Sequence, residues 1–530
     1  MTRSARRRPP AHHPSAAGPR QWIGLAVLAL PTLLLAMDVT VLYLAVPRLA
    51  AGLRPSGTEL LWITDVYGFM IAGFLVAMGT LGDRIGRRRL LMVGAGAFAV
   101  ASVAAAYAPS AGALIIARAL LGIAGATLMP STLALISNMF RDPRQRGTAI
   151  GVWAACLSGG VALGPVVGGA LLESFWWGSV FLIAVPVMGV LMVAAPFLLP
   201  EYRDPAAGRV DVISVVLSIA AMLPIVYGIK WIAHGSGVLS GLAIVLLGVA
   251  AGAVFCRRQH RIEDPLVDLR LFRHRIFSAA LIVLFLGLTV TAGTYLFVTR
   301  WLQAVEGLPP LAAGLWLVPC AAAMIVTSMA APALARRMPE GYVIGASLGI
   351  SAAGFLLLAL LDRPAGLPYL VAGIVIVYIG QGPLMALGTD LVVGSAPPEK
   401  AGSASAISET STELGLAFGV ATLGSIGTLA YRQAGPVPES AGIPPDLADG
   451  ARDTIEGATI AAAQLPPQPA ADLLDTAQRA FTDALNAVAG IGAAVTLALA
   501  VLAVIALRRP RSAGPSAAGD SAPAPVESVH

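Results

Sequence analysis

Long apolar runs recur along nearly the whole chain, separated by short breaks in which Arg, Pro, Gly and acidic residues collect. The runs predict fourteen helices, near 22–47, 61–81, 90–107, 112–136, 146–172, 177–199, 210–232, 238–256, 276–300, 311–334, 342–361, 368–390, 402–431 and 481–507. A helix needs about 20 apolar residues to cross ~30 Å of hydrocarbon, so the bilayer is the solvent for most of the chain. The alternating ten-residue segments of a membrane β-barrel are absent, and the spans must satisfy their backbone hydrogen bonds as helices. The predicted fold class is an all-α polytopic membrane protein. The tails, 1–21 and 508–530, are rich in Pro, Ala, Ser and Arg and are expected to be disordered. One long break, 432–480, has Ala-rich stretches at 451–463 and 470–480 broken by Pro466, Pro467 and Pro469, which predicts two short helices folded back on each other.

Composition agrees: the 530 residues are 57% hydrophobic and 12% charged, with a mean hydropathy of +0.79, outside the range of soluble domains. The net charge of +6 sits in short clusters between spans and makes no continuous basic face, so no nucleic-acid partner is expected. Those clusters encode topology instead. With the N-terminus inside, and with Arg146 and Arg300 at span edges counted with the adjoining loops, inner segments hold 26 of the 35 Lys and Arg and outer loops hold 7, while Arg118 and Lys230 fall deeper within spans. This bias predicts both termini in the cytoplasm. Arg3, Arg6, Arg7 and Arg8 precede an apolar run too long for a signal peptide, which is expected to stay as the first span. Cys156, Cys256 and Cys320 lie far apart with no C-x-x-C, and the one nearby His, His260 after Cys256, makes no ligand set, so neither a disulfide framework nor a metal site is expected.

A concentrating transporter is driven by ATP or by an ion gradient. The two lysines, Lys230 and Lys400, follow Ile229 and Glu399, so there is no G-K-[ST] phosphate loop. That leaves an ion gradient, unless another chain supplies ATP hydrolysis, and no cofactor is expected. Seven of the 29 Asp and Glu fall within the predicted spans, Asp211, Asp390 and Asp483 in the first or last three residues; the four deeper ones are Asp38 in span 1, Asp65 toward the outer end of span 2, and Glu409 and Glu413 in span 13. An Asp in the bilayer costs roughly 2.5 to 3.5 kcal/mol on insertion scales, so each marks a candidate function. Spaced i, i+4, Glu409 and Glu413 share a helix face, where two like charges favour taking up a proton or a cation. At 1.5 Å per residue from 402 they lie about 10 and 16 Å in, near the midplane. Asp65 sits where it either serves this site or reaches the interface. Arg118, in the middle of span 4, matches Asp38 in depth, and a direct or water-mediated link between them offsets the cost of two buried charges; the alternative is an Arg bonded to backbone carbonyls.

Two glycine-containing patterns complete the set. Span 5 carries Gly159, Gly160, Gly164, Pro165, Gly168 and Gly169, small residues that admit close helix approach with a proline that bends the axis. The turn between spans 2 and 3 reads Gly79-Thr80-Leu81-Gly82-Asp83-Arg84-Ile85-Gly86-Arg87-Arg88-Arg89, an acid among cations. At a helix end Asp83 can accept from Arg residues or from an opposing helix N-terminus in one access state.

On these residues the chain resembles the major facilitator superfamily and, within it, the fourteen-helix drug:proton antiporter-2 family that includes the antiseptic-resistance exporters. The 2–3 turn looks like the G-x-L-x-D-R-x-G-R-[RK] motif, Arg118 to Gly125 like the helix-4 motif, and Gly159 to Gly169 like the antiporter motif ending G-P-x-x-G-G. Met37-Asp38-Val39-Thr40, Leu61 to Tyr67 and Glu409 to Gly415 are the more specific matches. The resemblance implies a major facilitator fold with 14 transmembrane helices. Its parts are a six-helix half at 22–199, inserted helices 7 and 8 at 210–256, and a second half at 276–507 that includes the hairpin. It also implies a monomer in a bacterial inner membrane, export of organic cations in exchange for protons by alternating access, and roles for Asp38, Asp65, Glu409 and Glu413. The chain departs from exporters of divalent cations, with Cys320-Ala321-Ala322-Ala323-Met324 in span 10 and Ser408 before Glu409, where those exporters carry further acids. The 10–11 turn, Leu334-Ala335-Arg336-Arg337, keeps only a degenerate copy of the 2–3 motif.

Export of a self-made antibiotic or other metabolite would use the same scaffold. An importer would share the fold, and the span-5 motif and span-13 acids argue against it by resemblance. A membrane enzyme finds no H-E-x-x-H in the chain, and the one G-x-S-x-G match, Gly345-Ala346-Ser347-Leu348-Gly349, lies inside the predicted span 342–361 and not on a strand-to-helix turn. The hairpin segment 433–480 holds seven acids (Glu439, Asp446, Asp449, Asp453, Glu456, Asp472 and Asp475) against Arg452 and Arg479, a net −5 that is expected to act on departing cations unless salt screens it.

Overall fold

The computed structural model describes residues 17–507 apart from 141, 202, 204–210, 234–236, 263–264, 266, 363–365, 397–400, 436 and 438–443. The predicted tails, apart from 17–21, lie outside the described residues, as do Lys400 and Glu439. Every regular element described is helical. In chain order these are α1 (Pro19–Leu53), α2 (Gly57–Ile85), α3 (Arg87–Ala106), α4 (Ala111–Met139), α5 (Pro143–Ser174), α6 (Ser179–Leu182), α7 (Ala184–Leu198), α8 (Val212–Ala233), α9 (Val238–Gln259), α10 (Arg275–Ala304), α11 (Pro310–Ala335), α12 (Glu340–Ala359), α13 (Gly366–Gly394), α14 (Ala401–Gln433), α15 (Pro445–Asp453), α16 (Ile455–Ala462) and α17 (Pro467–Ala506).

Thirteen segments among the described residues are long and apolar enough to cross a membrane, with α6 and α7 forming one of them. α5 supplies the fourteenth: it bends by 43° between Thr148–Val161 and Leu163–Ser174, one turn before Pro165, whose ring excludes the carbonyl of the preceding turn. Boundaries follow local chemistry. Pro19 opens α1 where its missing N–H costs nothing. Ser56 and Glu59 form a capping box at the start of α2, with Ser56 N–H donating to Glu59 Oε2 at 2.9 Å and Glu59 N–H to Ser56 Oγ at 3.3 Å. The sharp step from α2 to α3 uses Gly86 at φ 115.

In the first half α1 packs on α5 and α7, α2 on α4, and α3 on α4 and α7; in the second, α10 packs on α13, α14 and α17, and α12 on α13 and α17. The halves meet along α2–α14 and α5–α11. α8 and α9 form a separate pair, and α8 touches α2 and α14 together. At their far end Asp211 caps α8, its carboxylate accepting from Arg258 Nη2 at 3.0 Å and from Ser214 N–H at 3.2 Å. Burial opposes the charged form of Asp211, but these bonds outweigh it and hold the carboxyl below the usual carboxylate range.

The hairpin differs from expectation. The first Ala-rich stretch is interrupted at Thr454, which caps α16 through its side chain. The second, 470–480, is not a separate helix but the start of the 40-residue α17. Pro467 stands in its first turn, where proline is tolerated, and nothing from there to Ala506 stops it. The expected negative field is also smaller than the count of acids suggests. Glu456 is buried against Arg300, and Asp449, Asp453 and Asp475 pair with Arg452, Arg432 and Arg479.

Candidate ion-coupling and substrate site

Asp38 and Arg118 meet, as their depth predicts. Arg118 Nη1 donates to Asp38 Oδ2, linking α4 to α1. The same guanidinium donates from Nε to the Ile63 carbonyl on α2 at 3.2 Å and lies 4.5 Å from the Tyr67 ring centre. Both alternatives held open for Arg118 are thus realised at once. Its side chain is 1% exposed and that of Asp38 11%, so the carboxylate is the accessible partner. Gly122, one turn along α4, has no room for a side chain, since a Cβ there would stand 2.5 Å from the Tyr67 carbonyl oxygen. This contact seats Arg118 over Tyr67.

Glu409 and Glu413 lie on α14 and are half-buried. Neither makes a hydrogen bond or ion pair among the described residues. About 12 and 18 Å of helix separate them from Ala401 at 1.5 Å per residue. The neighbouring Ser408 and Thr410 hydroxyls are buried without a partner. α14 comes against α2 where Gly68 faces Ala417, a Cβ at Gly68 falling 2.9 Å from that of Ala417 and 3.7 Å from the Glu413 carbonyl oxygen. Asp38, Arg118 and Glu413 all stand close enough to act electrostatically on Tyr67, so the span-1, span-4 and span-13 charges form one neighbourhood. Asp65 stands apart. It does not reach the interface but is buried against Lys230 of α8, Nζ to Oδ2 2.8 Å. Sequence reasoning placed Lys230 inside a span without giving it a partner; the signal was that both residues carry opposite charges inside apolar runs. Asp390 and Asp483 also lie in helices and are exposed, Asp390 in the last turns of α13 and Asp483 sixteen residues into α17.

The antiporter-motif glycines are contact positions. A Cβ would fall 2.3 Å from the Leu33 carbonyl oxygen at Gly160, 2.0 Å from Thr40 Oγ1 at Gly164 and 2.8 Å from Val41 Cγ1 at Gly168, all on α1. At Gly169 it would fall 2.5 Å from Leu311 Cα, and the Pro165 carbonyl stands 2.3 Å from the Cβ position of Gly314, both across to α11. Gly159 has nothing within 4 Å. The motif therefore seats α5 between the two halves.

At the 2–3 turn Arg87 Nε donates to Asp83 Oδ1 at 2.7 Å, one turn along the chain. Gly79 meets only Pro130, at 3.9 Å, and Arg84 is exposed. A Cβ at Gly86 would meet Glu201 Oε1 at 2.5 Å. Glu201, not singled out from sequence, accepts from the Arg88 N–H at 3.1 Å and lies 3.7 and 3.8 Å from the Arg88 and Arg89 guanidinium nitrogens. An acid just past span 6, opposite three consecutive arginines, was the available signal.

The close approaches between halves crowd toward the end of the bundle that carries α15 and α16. Leu61 meets Gly424, Pro165 meets Gly314, and Tyr43 of α1 stacks edge-on with Tyr295 of α10 at 5.7 Å.

Comparison with known proteins agrees with this architecture. The Major Facilitator Superfamily pattern matches residues 28–420. The Multidrug efflux pump LfrA of Mycolicibacterium smegmatis is 45% identical over 92% of this chain and 97% of its own length. The Methyl viologen resistance protein SmvA of Salmonella typhimurium is 35% identical over 87% and 93%, and the Tetracenomycin C resistance and export protein of Streptomyces glaucescens 32% over 94% and 92%. Among solved structures, a bacterial homologue of the lysosomal transporter Spinster, inward-facing and unoccupied, superimposes with a TM-score of 0.64 at 16% identity, covering 94% of this chain and all of that one. With fourteen spans, two halves meeting along α2–α14 and α5–α11, and full-length similarity to drug-resistance exporters, this multi-pass membrane protein belongs to the Major Facilitator Superfamily.

Proposed function

We propose that the chain is a proton-coupled multidrug efflux transporter that moves cationic, lipophilic compounds such as dyes and quaternary ammonium antiseptics out across the bacterial inner membrane. The observation that carries this reading is the pair of half-buried, unpartnered carboxylates Glu409 and Glu413 beside the Asp38–Arg118 ion pair. A carboxylate near mid-membrane with no internal cation favours an external one, and an organic cation or a proton supplies it. The two ligands then compete for the same oxygens, which makes exchange obligatory. The names of the full-length relatives, a multidrug efflux pump and a methyl viologen resistance protein among them, support this substrate class. The bias of Lys and Arg supports cytoplasmic termini, with α15 and α16 outside. On that orientation the crowding near these helices is a closed outer end, and the site is loaded from the cytoplasm. The chain acts as a monomer and not as an enzyme.

A second reading, a dedicated exporter of one self-made metabolite, is favoured by similarity to the Tetracenomycin C exporter at lower identity. Ethidium accumulation in inverted vesicles tests the main reading. Dye should enter when a proton gradient is imposed and leave when an uncoupler is added. Accumulation no greater than in vesicles lacking the protein would refute it, and uptake of a single antibiotic without dyes would favour the second.

A further inference from the structure

The Asp65–Lys230 pair is not used by the exchange step above. Their side chains are 0% and 1% exposed, with Lys230 Nζ 2.8 Å from Oδ2 and 3.1 Å from Oδ1. The ammonium also lies 3.9 Å from the Trp62 ring centre. Trp62 meets Tyr227, which meets Trp231. A carboxylate beside an indole face is the arrangement that binds an organic ammonium, and here the protein's own side chain fills it. α8 also packs along α9 and sets Ile219 and Met222 against Gly73 of α2. Val226 and Leu223 pack with Phe69, Ala417 and Ala421, while Val212, Ile213 and Val216 are exposed. Because α2 belongs to one half and α14 to the other, whatever docks α8 also fastens the seam between them.

Two opposite charges without solvent persist only as a pair, since removing one leaves the other uncompensated. Lys230 stands three residues from Ala233, the last residue of α8. A lysine so near a helix end can carry its ammonium to the interface along its own stem. The charged groups that act on the pair are few. Asp65 faces Lys230 and, more distantly, Arg118 of α4. α14 adds Glu413 and Glu409 in its membrane part, and Arg257 and Arg258 of α9 lie at its opposite end, beside Asp211.

We propose that Lys230 is a tethered counter-cation that competes with the proton for Asp65, so that protonation of Asp65 undocks α8 from α2 and α14. The proton comes from water, Asp65 becomes a neutral acid, and Lys230 keeps its ammonium and swings to the interface. The inserted pair then takes part in coupling as a proton-sensitive clasp on the seam, with Lys230 a positioning residue for the exchange. This rests on the proton-coupled reading and deepens it.

Hydrogen–deuterium exchange of the purified full-length protein, without substrate, tests the idea at mildly acidic and mildly alkaline pH after correction for intrinsic exchange. Peptides from α8 should exchange about threefold or more faster at the acidic pH, through local opening, and the Asp65→Asn/Lys230→Met variant should lose that difference. A buried pair that only holds the fold together would show no such response. Equal α8 exchange in the wild type at both pH values overturns the proposal whether or not the double variant folds, as does an unchanged response in a folded double variant. Proton-driven ethidium uptake in vesicles is read separately: intact uptake with no α8 response sinks the clasp alone, and absent uptake sinks the transport reading.

Discussion

Arg300 on α10 reaches Glu456 on α16 in a two-pronged ion pair, Nε to Oε1 2.7 Å, with both side chains no more than 5% exposed. The guanidinium also lies 5.3 Å from the Phe481 ring centre on α17, and the Tyr431 hydroxyl of α14 donates to the Ala451 carbonyl at 2.9 Å. The hairpin is therefore built into the second half and is not a loose loop. Breaking a buried pair from one side costs on the order of 3–5 kcal/mol, whereas replacing both partners by apolar groups is often neutral. Glu456→Gln should lower the thermal midpoint of the purified protein by several degrees, and Arg300→Met/Glu456→Leu should recover most of the loss. Equal midpoints for the wild type and Glu456→Gln would show that the pair contributes nothing.

For the exchange site, Glu409→Gln, Glu413→Gln and Asp38→Asn should each reduce proton release on adding a cationic dye to unbuffered protein, or weaken dye binding about tenfold, a loss of ~1.4 kcal/mol. Asp38→Asn should also destabilise the fold, because Arg118 would lose its carboxylate. Wild-type proton release and affinity in all three variants would place coupling elsewhere.

Asp83 accepts from Arg87 in this arrangement, within its own turn. If its other partner belongs to the opposite access state, Asp83→Asn should cut turnover tenfold or more, about 1.4 kcal/mol of barrier, with dye affinity changed only a few fold. Wild-type transport rates in the variant would remove Asp83 from the cycle.

Adjacent glycines on α5 give a sharp contrast. Gly159→Ala meets open space and should stay within about 0.5 kcal/mol of wild type. Gly160→Ala drives a methyl into the Leu33 carbonyl, which as helix backbone cannot swing aside, and should reduce folded yield or transport severely. Similar yield and transport for the two would show that α1 and α5 need not approach so closely.

The sequence alone determined the number and order of the spans, because crossing hydrocarbon demands about 20 apolar residues whatever their neighbours are. It also exposed the candidate acids, since carboxylates in such runs are costly enough to stand out one by one. Partnership was legible only where depth was informative, as for Asp38 and Arg118. Lys230 and Asp65, 165 residues apart, and Arg300 and Glu456, 156 apart, were not, because no local rule says which helix faces which. The continuity of α17 through its Ala-rich start was misread for a related reason: prolines mark where a helix begins without saying how far it runs. Tertiary packing decided those matters. It matched buried charges across helices whose order in space the chain does not spell out, and it set the glycines of α5 against α1 and α11 where only backbone contact fits.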